Sequence, residues 1–183
     1  MQYFIGIVPS DEYKEKLIDF QHKWKNNQIC DVVEPHITLK AQGGLTPDEK
    51  WLSKVKGVCN NFQSFQITLD QPKFFGDDIL YLSASSNELD KLHNSIVRVV
   101  SPSEALIKKY FELEDFVPHM TLGKSSYGLS KKELKEMGEL AEKELSPFPT
   151  FDVRFVRVYL EIDPNKYIKY LDIPLNNNPT EER

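Results

Sequence analysis

The chain has 183 residues, enough for one compact domain or for two small lobes that share a core. Its hydrophobic content of 40% and its charged content of 28% are ordinary for a globular protein, and its net charge is −5. Proteins that grip long duplex nucleic acid usually carry a broad basic surface, and this composition argues against one. Any nucleic-acid ligand is therefore expected to be small: a nucleotide, a strand end or a short oligomer.

The cysteines and the N-terminus bear on the compartment. Cys30 and Cys59 are isolated in the sequence, which predicts two free thiols and fits a reducing cytoplasm. The segment 1–8 lacks a basic region and reaches Pro9 too soon for a signal peptide. No apolar run approaches the roughly 20 residues that a membrane span needs. We therefore expect a cytoplasmic protein that makes no membrane contact.

The chain begins with alternating strand and helix signals. β-branched and aromatic residues at 2–8 predict a buried strand that stops at Pro9. A helix is predicted at 10–24, with Ser10 as its N-cap and an apolar face at helical spacing. A short strand is predicted at 33–40.

Three further helices are predicted from Ser/Thr-x-x-Glu patterns, in which the two side chains cap the first turn. Numbered from the capping residue to the expected last residue, they are 46–59, 85–100 and 130–145. Residues 101–115 are expected to carry at most a short helix.

The remaining strands complete a mixed fold. They are predicted at 65–75, 79–83, 116–122, 151–162 and 167–173. The first two of these form a hairpin that turns at Gly76. The apolar pattern of the segment 151–162 changes phase near Phe155, which predicts one long strand with a β-bulge. Together these elements predict an α+β fold with antiparallel sheets.

Two of the four histidines lie in the same local sequence. Pro-His-Ile-Thr-Leu surrounds His36 and Pro-His-Met-Thr-Leu surrounds His119, an offset of 119 − 36 = 83 residues. Because side chains alternate along a strand, His36 shares a face with Thr38, and His119 shares a face with Thr121. The apolar residues between them anchor the opposite face. The repeat predicts two related structural units, each of which displays one polar pair.

Such a pair of histidines suits phosphodiester cleavage. Unperturbed imidazole titrates near pH 6.5, so one ring can accept a proton from water or a ribose hydroxyl while the other donates one to the departing oxygen. Each histidine is expected to contribute roughly 10²–10⁴-fold to the rate. We predict His36 and His119 as a catalytic acid/base pair without a metal or cofactor. Thr38 and Thr121 are predicted to bind the phosphate oxygens.

Secondary candidates follow from strand parity. Lys40 shares the parity of the first motif and is predicted to contact phosphate, whereas Lys124 has the opposite parity in the second motif and is left out. Tyr81 lies between two leucines and is the best-placed aromatic residue to stack on a base. His22 and His93 lie in predicted helices without the motif and are expected at the surface or at its boundary with the core.

The twin His-x-Thr-Leu motifs resemble those of the 2H phosphoesterase superfamily, which includes the bacterial 2′-5′ RNA ligase and cyclic phosphodiesterase proteins. The opening strand, the helix after it and the closing strand pair also resemble the family. This resemblance implies two pseudo-twofold-related lobes, each an antiparallel sheet with helices on its outer face, and a central cleft between the motifs. It implies one bilobal domain over residues 1–175. Residues 176–183 are polar and are expected to form a disordered tail.

The resemblance also implies an activity: metal-independent cleavage of 2′,3′-cyclic phosphates, 2′-5′ linkages or related cyclic phosphates. The chain departs from the RNA-ligase type after the first motif. Where those members have an aromatic residue followed by Leu-Gly, residues 40–44 read Lys-Ala-Gln-Gly-Gly. The chain is in this respect similar to a Gram-positive subgroup of uncertain substrate.

The leading hypothesis is a monomeric phosphodiesterase that acts on a small nucleotide or an RNA end, without duplex nucleic acid as a partner. One alternative is a nucleotide- or RNA-binding protein that keeps the cleft without the chemistry. A second is a metallohydrolase, although such sites need three or more close ligands and the motifs offer only Glu34 besides the histidines. A third is a ligase, which would run the cleavage backwards.

Overall fold

Strands and helices are intermixed along residues 1–178, the part of the chain that the computed structural model describes, where they form eight strands and six α-helices. The strands are β1 (Tyr3–Ile7), β2 (Ile37–Lys40), β3 (Phe65–Phe75), β4 (Ile79–Ser85), β5 (His119–Lys124), β6 (Thr150–Val153), β7 (Phe155–Asp163) and β8 (Lys166–Pro174). The helices are α1 (Asp11–Gln21), α2 (Ile29–Val32), α3 (Lys50–Asn61), α4 (Asn87–Val100), α5 (Glu104–Lys109) and α6 (Lys131–Glu144).

All eight strands belong to one antiparallel sheet with the order β6-β3-β4-β5-β2-β1-β7-β8. The sheet has two halves of four strands, and the two motif strands, β5 and β2, meet at its centre. A single residue pair, Ile37 with Met120, joins them. The predicted α+β class is confirmed, and the two expected sheets are the two halves of this continuous one.

The order of elements follows the sequence repeat. The first unit runs β1-α1-β2-α3-β3 and the second runs β4-α4-β5-α6-β7. In each unit the first two strands pair with each other, but the third strand pairs in the other half: β3 with β4, and β7 with β1. The two units are therefore intertwined rather than side by side.

The four long helices cover one face of the sheet and build the main core with it. Each contributes an apolar stripe at helical spacing, such as Leu89, Leu92 and Ile96 of α4, all without solvent exposure. Burial of a side chain of this size stabilises the fold by about 1.5–3 kcal/mol. The opposite face of the sheet carries a small aromatic cluster of Phe4, Tyr159 and Tyr167. This second face holds the motif histidines.

The helix starts were predicted with mixed success. The capping box of α6 is confirmed, since Ser130 and Glu133 make both reciprocal bonds. The cap of α4 is Ser86 and not the predicted Ser85. The capping box at Thr46 is wrong: its hydroxyl bonds Asp48 within a turn, and the helix begins four residues later.

The segment 151–162 is two strands and not one bulged strand. β6 pairs with β3 at the edge of one half, whereas β7 pairs with β1 in the other half. The chain crosses between the halves at Arg154. Phe151 and Val153 before the crossing, and Val156 and Val158 after it, all face the helix-covered core. The change of phase therefore marks a change of half.

The end of the described chain is tied to the first unit. The predicted last strand is confirmed as β8, and Asn165 in the left-handed region (φ 60°) forms the turn before it. Asn176, which the sequence analysis assigned to the tail, bridges to Gln63 and bonds the backbone of Phe62. Residues 179–183 of that tail lie outside the described residues. Within residues 1–178, no helix is long and apolar enough to cross a membrane.

Candidate active site

The two motifs meet where the halves of the sheet join. Ile37 and Met120, both without solvent exposure, pair across the junction and face the core. The neighbouring polar side chains face the other way and line one central cavity of about 160 Å³. They are His36, Thr38, His119 and Thr121. Because the strands are antiparallel, each histidine lies opposite the other motif's threonine, and the histidines lie on a diagonal, for which side-chain origins are roughly 7–8 Å apart.

Both imidazoles are fixed in the same tautomer. His36 Nδ1 lies 2.8 Å from the Glu34 carbonyl oxygen, and His119 Nδ1 lies 2.6 Å from the Val117 carbonyl oxygen. A carbonyl oxygen can only accept, so each Nδ1 carries a proton and donates it. The Nε2 atom of each neutral ring is thereby left as a base toward the cavity. For His36, Nε2 also lies 3.1 Å from the Thr38 hydroxyl.

His36 is packed tightly against the sheet. Its ring contacts Phe4 and Tyr159, with ring centroids 5.0 and 5.5 Å away. It lies over Gly6, where an added Cβ would come within 3.3 Å of the imidazole Cδ2 and 3.1 Å of the Tyr159 ring. Burial lowers the pKa of His36 to about 4, and the positive charges of a protonated His119 and of Lys124 act in the same direction. His36 is therefore neutral at physiological pH.

His119 has a different environment. Its ring contacts the rings of Phe75 and Tyr81 edge-on, with centroids 5.0 and 5.4 Å away. Burial lowers the pKa of His119, and the charge of Lys124 lowers it further. Tyr81 itself is stacked under Phe75 at 4.1 Å and is only 6% exposed. The prediction that Tyr81 stacks on a base is wrong, because Phe75 covers it.

A network of ion pairs holds the residue that orients His36. The Glu34 carboxylate accepts bonds from Arg157 (2.7 Å), Tyr159 (2.9 Å) and Lys14 (3.1 Å). Arg157 in turn donates two bonds to Asp172. Burial raises the pKa of Glu34, but these three donors outweigh it and the net shift is downward. The carboxylate is thus charged and held from three sides, which fixes the backbone carbonyl that orients His36.

A bulge displaces Lys40 from the cleft. Gly6 pairs with Thr38, but the residue before it in β1, Ile5, pairs with Lys40. Leu39 is therefore the extra residue of β2. Lys40 is turned to the helix side of the sheet and has no solvent exposure. Its ammonium group bonds the Glu112 carboxylate at 2.6 Å and two backbone carbonyls. The prediction that Lys40 contacts phosphate is therefore wrong.

The same bulge in the second motif brings Lys124 into the cleft. Tyr81 pairs with Thr121, whereas Leu80 pairs with Gly123, so Leu122 is the extra residue. The alternation is inverted beyond it, and Lys124 lines the central cavity. Simple strand alternation places Lys124 on the opposite side from His119, and for this reason it was not predicted in the site. The glycine at 123 is the signal that could have found it, because a glycine inside a strand often marks a bulge.

A second cavity, here called the aromatic groove, adjoins the first and has a volume of about 550 Å³. Thr38 and His119 line both cavities, so the groove opens directly beside the motifs. The remainder of its lining is largely apolar: Phe75, Ile79, Tyr110, Phe111, Asp115, Phe116 and Val117. Most of these residues lie in segment 110–117. The sequence pattern predicts no clear element up to residue 115, and the strand predicted from 116 begins only at His119.

His93 is buried and not at the surface. Only 1% of it is exposed, and its ring stacks on Phe116 with centroids 3.8 Å apart. Its Nδ1 lies 2.6 Å from the Leu39 carbonyl oxygen, and its Nε2 accepts the Leu113 N–H at 2.9 Å. Burial lowers its pKa, so the ring is neutral and bridges β2 to the segment that lines the groove.

Comparison with known proteins agrees with this geometry. The family model of the 2′-5′ RNA ligase superfamily matches residues 20–161. The chain therefore belongs to this superfamily, the 2H phosphoesterases that the twin motifs resemble, and the expected enzyme class, a phosphoric diester hydrolase, is confirmed.

Individual relatives cover nearly the whole chain. The RNA 2′,3′-cyclic phosphodiesterase of Methanocaldococcus jannaschii is 26% identical over 166 residues, which are 87% of this chain and 90% of that protein. E. coli LigT in complex with 3′-AMP matches with a TM-score of 0.63 at 18% identity, over 96% of this chain and 98% of LigT. TT0787 of Thermus thermophilus matches with a TM-score of 0.60 at 15% identity, over 98% and 100% of the two chains. The two structures share the fold.

Proposed function

We propose that this chain is a metal-independent phosphodiesterase that hydrolyses 2′,3′-cyclic phosphates or 2′-5′ bonds of nucleotides or RNA ends by two-histidine acid/base catalysis. The observation that carries the proposal is that two imidazoles with unprotonated Nε2 atoms and two threonines line one cavity. The activity named for the M. jannaschii relative supports the same substrate class.

The roles of the two histidines follow from their surroundings. His36 is the base, because burial keeps its ring neutral and its carbonyl partner is held by the Glu34 network. His119 is the acid. It gains a proton when the anionic phosphate enters, since a neighbouring negative charge raises the pKa of an imidazole.

The hydrolytic step balances with these two groups. His36 Nε2 takes a proton from a water molecule as the water oxygen forms its bond to phosphorus. The bond between phosphorus and the departing ribose oxygen breaks, and His119 Nε2 gives that oxygen its proton. The products are a phosphomonoester and a free hydroxyl, and proton exchange with solvent restores both rings.

The phosphate oxygens have three donors nearby. The hydroxyl groups of Thr38 and Thr121 flank the histidines, and the Lys124 ammonium group lines the same cavity. Together they bind the non-bridging oxygens and stabilise the charge that develops on them. Lys124 takes the role that the sequence analysis gave to Lys40.

The rest of the substrate lies in the aromatic groove. A nucleoside attached to a phosphate at the histidines reaches this groove directly, because Thr38 and His119 border both cavities. We further propose that the ligand is a small nucleotide or an RNA end and not a duplex, in keeping with the net charge of −5. We propose that the protein acts as a monomer in the cytoplasm, where its two free cysteines remain reduced.

The proposal is tested with the purified protein, EDTA and a panel of 2′,3′-cyclic mononucleotides, 2′-5′ oligonucleotides and ADP-ribose cyclic phosphate, with product identification. We expect turnover that persists in EDTA and is lost in His36→Ala and His119→Ala, with His22→Ala at the exposed end of α1 as the matched control. Binding without turnover in the wild type would establish a binding protein instead. Activity that EDTA abolishes and a divalent metal restores would establish a metallohydrolase.

A further inference from the structure

Segment 110–117, which forms one wall of the aromatic groove, is held in an unusual backbone conformation. Phe111 and Leu113 are both in the left-handed region, with φ of 53° and 59°. Side chains other than glycine rarely adopt this conformation, and it persists only where the surroundings enforce it. Phe111 is nevertheless 70% exposed and lines the groove. Its own packing is therefore too slight to hold it in place, and the enforcing contacts lie elsewhere.

The first of these contacts is the buried ion pair between Lys40 and Glu112. The two side chains have 0% and 2% exposure, and Glu112 lies between the two left-handed residues. The Lys40 ammonium group has three donors, and its three acceptors are Glu112 and the carbonyl oxygens of Ala41 and Gly43. The end of the first motif strand is thus bonded directly to the groove wall.

The second contact is His93, which reaches the same segment from the helix layer. It accepts the N–H of Leu113, one of the two left-handed residues, while its other nitrogen donates to the Leu39 carbonyl of β2. Its ring lies parallel to that of Phe116, at an interplanar angle of 5°. His93 therefore fixes both the backbone of the wall and one of its aromatic side chains.

The third contact is the close approach of the loop after β2. An added Cβ at Gly43 would come within 3.1 Å of Leu106 and 3.2 Å of the Tyr110 ring, so the loop touches the start of the wall. Lys40 and Gly43 both belong to the stretch 40–44, where the chain departs from the RNA-ligase type of sequence. Residues 40–44 therefore pack directly against segment 110–117.

We propose that Lys40, Glu112 and His93 are positioning residues that hold segment 110–117 as the wall recognising the nucleobase, and so set the specificity of this enzyme for nucleosides. The inference rests on the proposed function for the site of the phosphate. An aromatic wall that is held in place favours a base because every base has a flat face that can stack on an aromatic side chain. The planar base lies against Phe111 and Phe116 while the phosphate lies at the histidines.

The test compares two substrates that differ only in the base. They are a nucleoside 2′,3′-cyclic monophosphate and the 2′,3′-cyclic phosphate of ribose. The double variant Lys40→Met/Glu112→Leu removes the ion pair without stranding either charge, and such apolar replacements are often tolerated. We expect the ratio of kcat/KM for the base-bearing substrate to that for ribose cyclic phosphate to fall about tenfold, as for the loss of one stacking contact.

This ratio distinguishes positioning from a general structural role, because any change at His119 affects both substrates alike. Phe111→Ala alters the exposed wall without touching the core and should lower the ratio similarly. Lys23→Met/Glu144→Gln, which removes an ion pair between the turn after α1 and helix α6, is the control and should leave the ratio unchanged. An unchanged ratio in both the folded double variant and Phe111→Ala overturns the proposal.

A binding measurement separates this proposal from the proposed function. Calorimetry with adenosine 3′-monophosphate and ribose 3-phosphate reports recognition of the base without catalysis. Suppose that the wild type binds the nucleotide preferentially, that the double variant lacks this preference, and that the wild type hydrolyses nothing. The proposal for the wall is then supported and the proposed activity is refuted. If the wild type binds the two compounds equally or binds neither, the wall proposal fails whatever the activity.

Discussion

The two His-x-Thr-Leu motifs share a local sequence, a strand geometry and a tautomer, yet they are supported differently. His36 lies over Gly6 and contacts two aromatic rings that stack on each other. The carbonyl that orients it belongs to Glu34, whose carboxylate accepts bonds from three donors. The carbonyl that orients His119 belongs to Val117, which is 47% exposed. Gly6 in the first half and Tyr81 in the second occupy equivalent positions, since each pairs with the motif threonine. His36 therefore lies over a glycine, whereas His119 contacts a tyrosine ring.

This difference teaches that the repeat determines which atoms face the cavity, whereas the flanking residues determine what each histidine does there. A base benefits from burial that keeps it neutral. An acid must accept a proton once the anion is bound, and the negative charge of the substrate beside His119 allows this because it raises the pKa of the imidazole. The following changes test this division of roles.

Removal of either imidazole has the largest expected effect. His36→Gln and His119→Gln should each lower kcat by roughly 10²–10⁴-fold on a natural phosphodiester. On a nucleoside p-nitrophenyl phosphodiester, the nitrophenolate departs without a proton, so His119→Gln should recover most of its activity and His36→Gln should not. Steady-state kinetics with both substrates checks the assignment. The opposite pattern of recovery would reverse the roles.

The threonines come next. Thr38→Val and Thr121→Val keep the shape of the side chain but remove a donor to the phosphate, and each should lower kcat by up to roughly 10²-fold. The matched controls Thr38→Ser and Thr121→Ser retain the hydroxyl and should retain most of the activity. Equal activity of the valine and serine variants would show that the hydroxyl groups do not bind the phosphate.

Lys124 affects both the rate and its pH dependence. Lys124→Gln should lower kcat/KM about tenfold through the lost contact to a charged group. The positive charge of Lys124 lowers the pKa of both histidines, so its removal raises them. Both limbs of the pH profile of kcat/KM should then move to higher pH, because that profile reports the free enzyme. Lys131→Gln, on the surface of α6, is the control, and a shift to lower pH would contradict the prediction.

The wild-type profile should itself lie at lower pH than unperturbed imidazoles would give. The acid limb follows His36, whose pKa is about 4, so activity should persist well below neutrality. Two unperturbed imidazoles, which titrate near pH 6.5, would give a maximum near neutral pH. The structure moves this expectation because burial lowers the pKa of both rings.

The smallest expected effect concerns the packing of His36. Gly6→Ala places a methyl group within 3.3 Å of the imidazole and 3.1 Å of the Tyr159 ring, so the ring must shift by a few tenths of an ångström. We expect kcat to fall about fivefold, since small misplacements of a catalytic group are costly. Gly57→Ala in α3, where the added methyl meets nothing within 4 Å, is the matched control. Unchanged kcat in Gly6→Ala would show that His36 tolerates displacement.

The sequence predicted the class of fold, the family and most elements because these follow from local patterns. Strand alternation, capping residues and the twin motifs are all properties of short segments. Strand alternation gave the wrong side of the sheet for both Lys40 and Lys124, and the cause is the same in each motif. Each motif strand has one extra residue after its threonine, which inverts the alternation of everything beyond it.

Other residues depended on tertiary contacts that no local pattern encodes. His93 has the sequence context of an ordinary helix residue, and only the packing of α4 against β2 buries it between two backbone groups. Tyr81 faces the expected side of the sheet, but its hairpin partner strand supplies Phe75 to cover it. The crossing at Arg154 joins two strands in opposite halves of the sheet, which a hydrophobic pattern cannot distinguish from a bulge.

The exchange of β3 and β7 between the halves has a consequence for how this protein folds. A fragment that ends after the first unit would leave β1 without β7, and β3 without either of its neighbours. The central cavity, which Asn165 and Tyr167 line together with both motifs, is therefore complete only when the last two strands have joined the sheet.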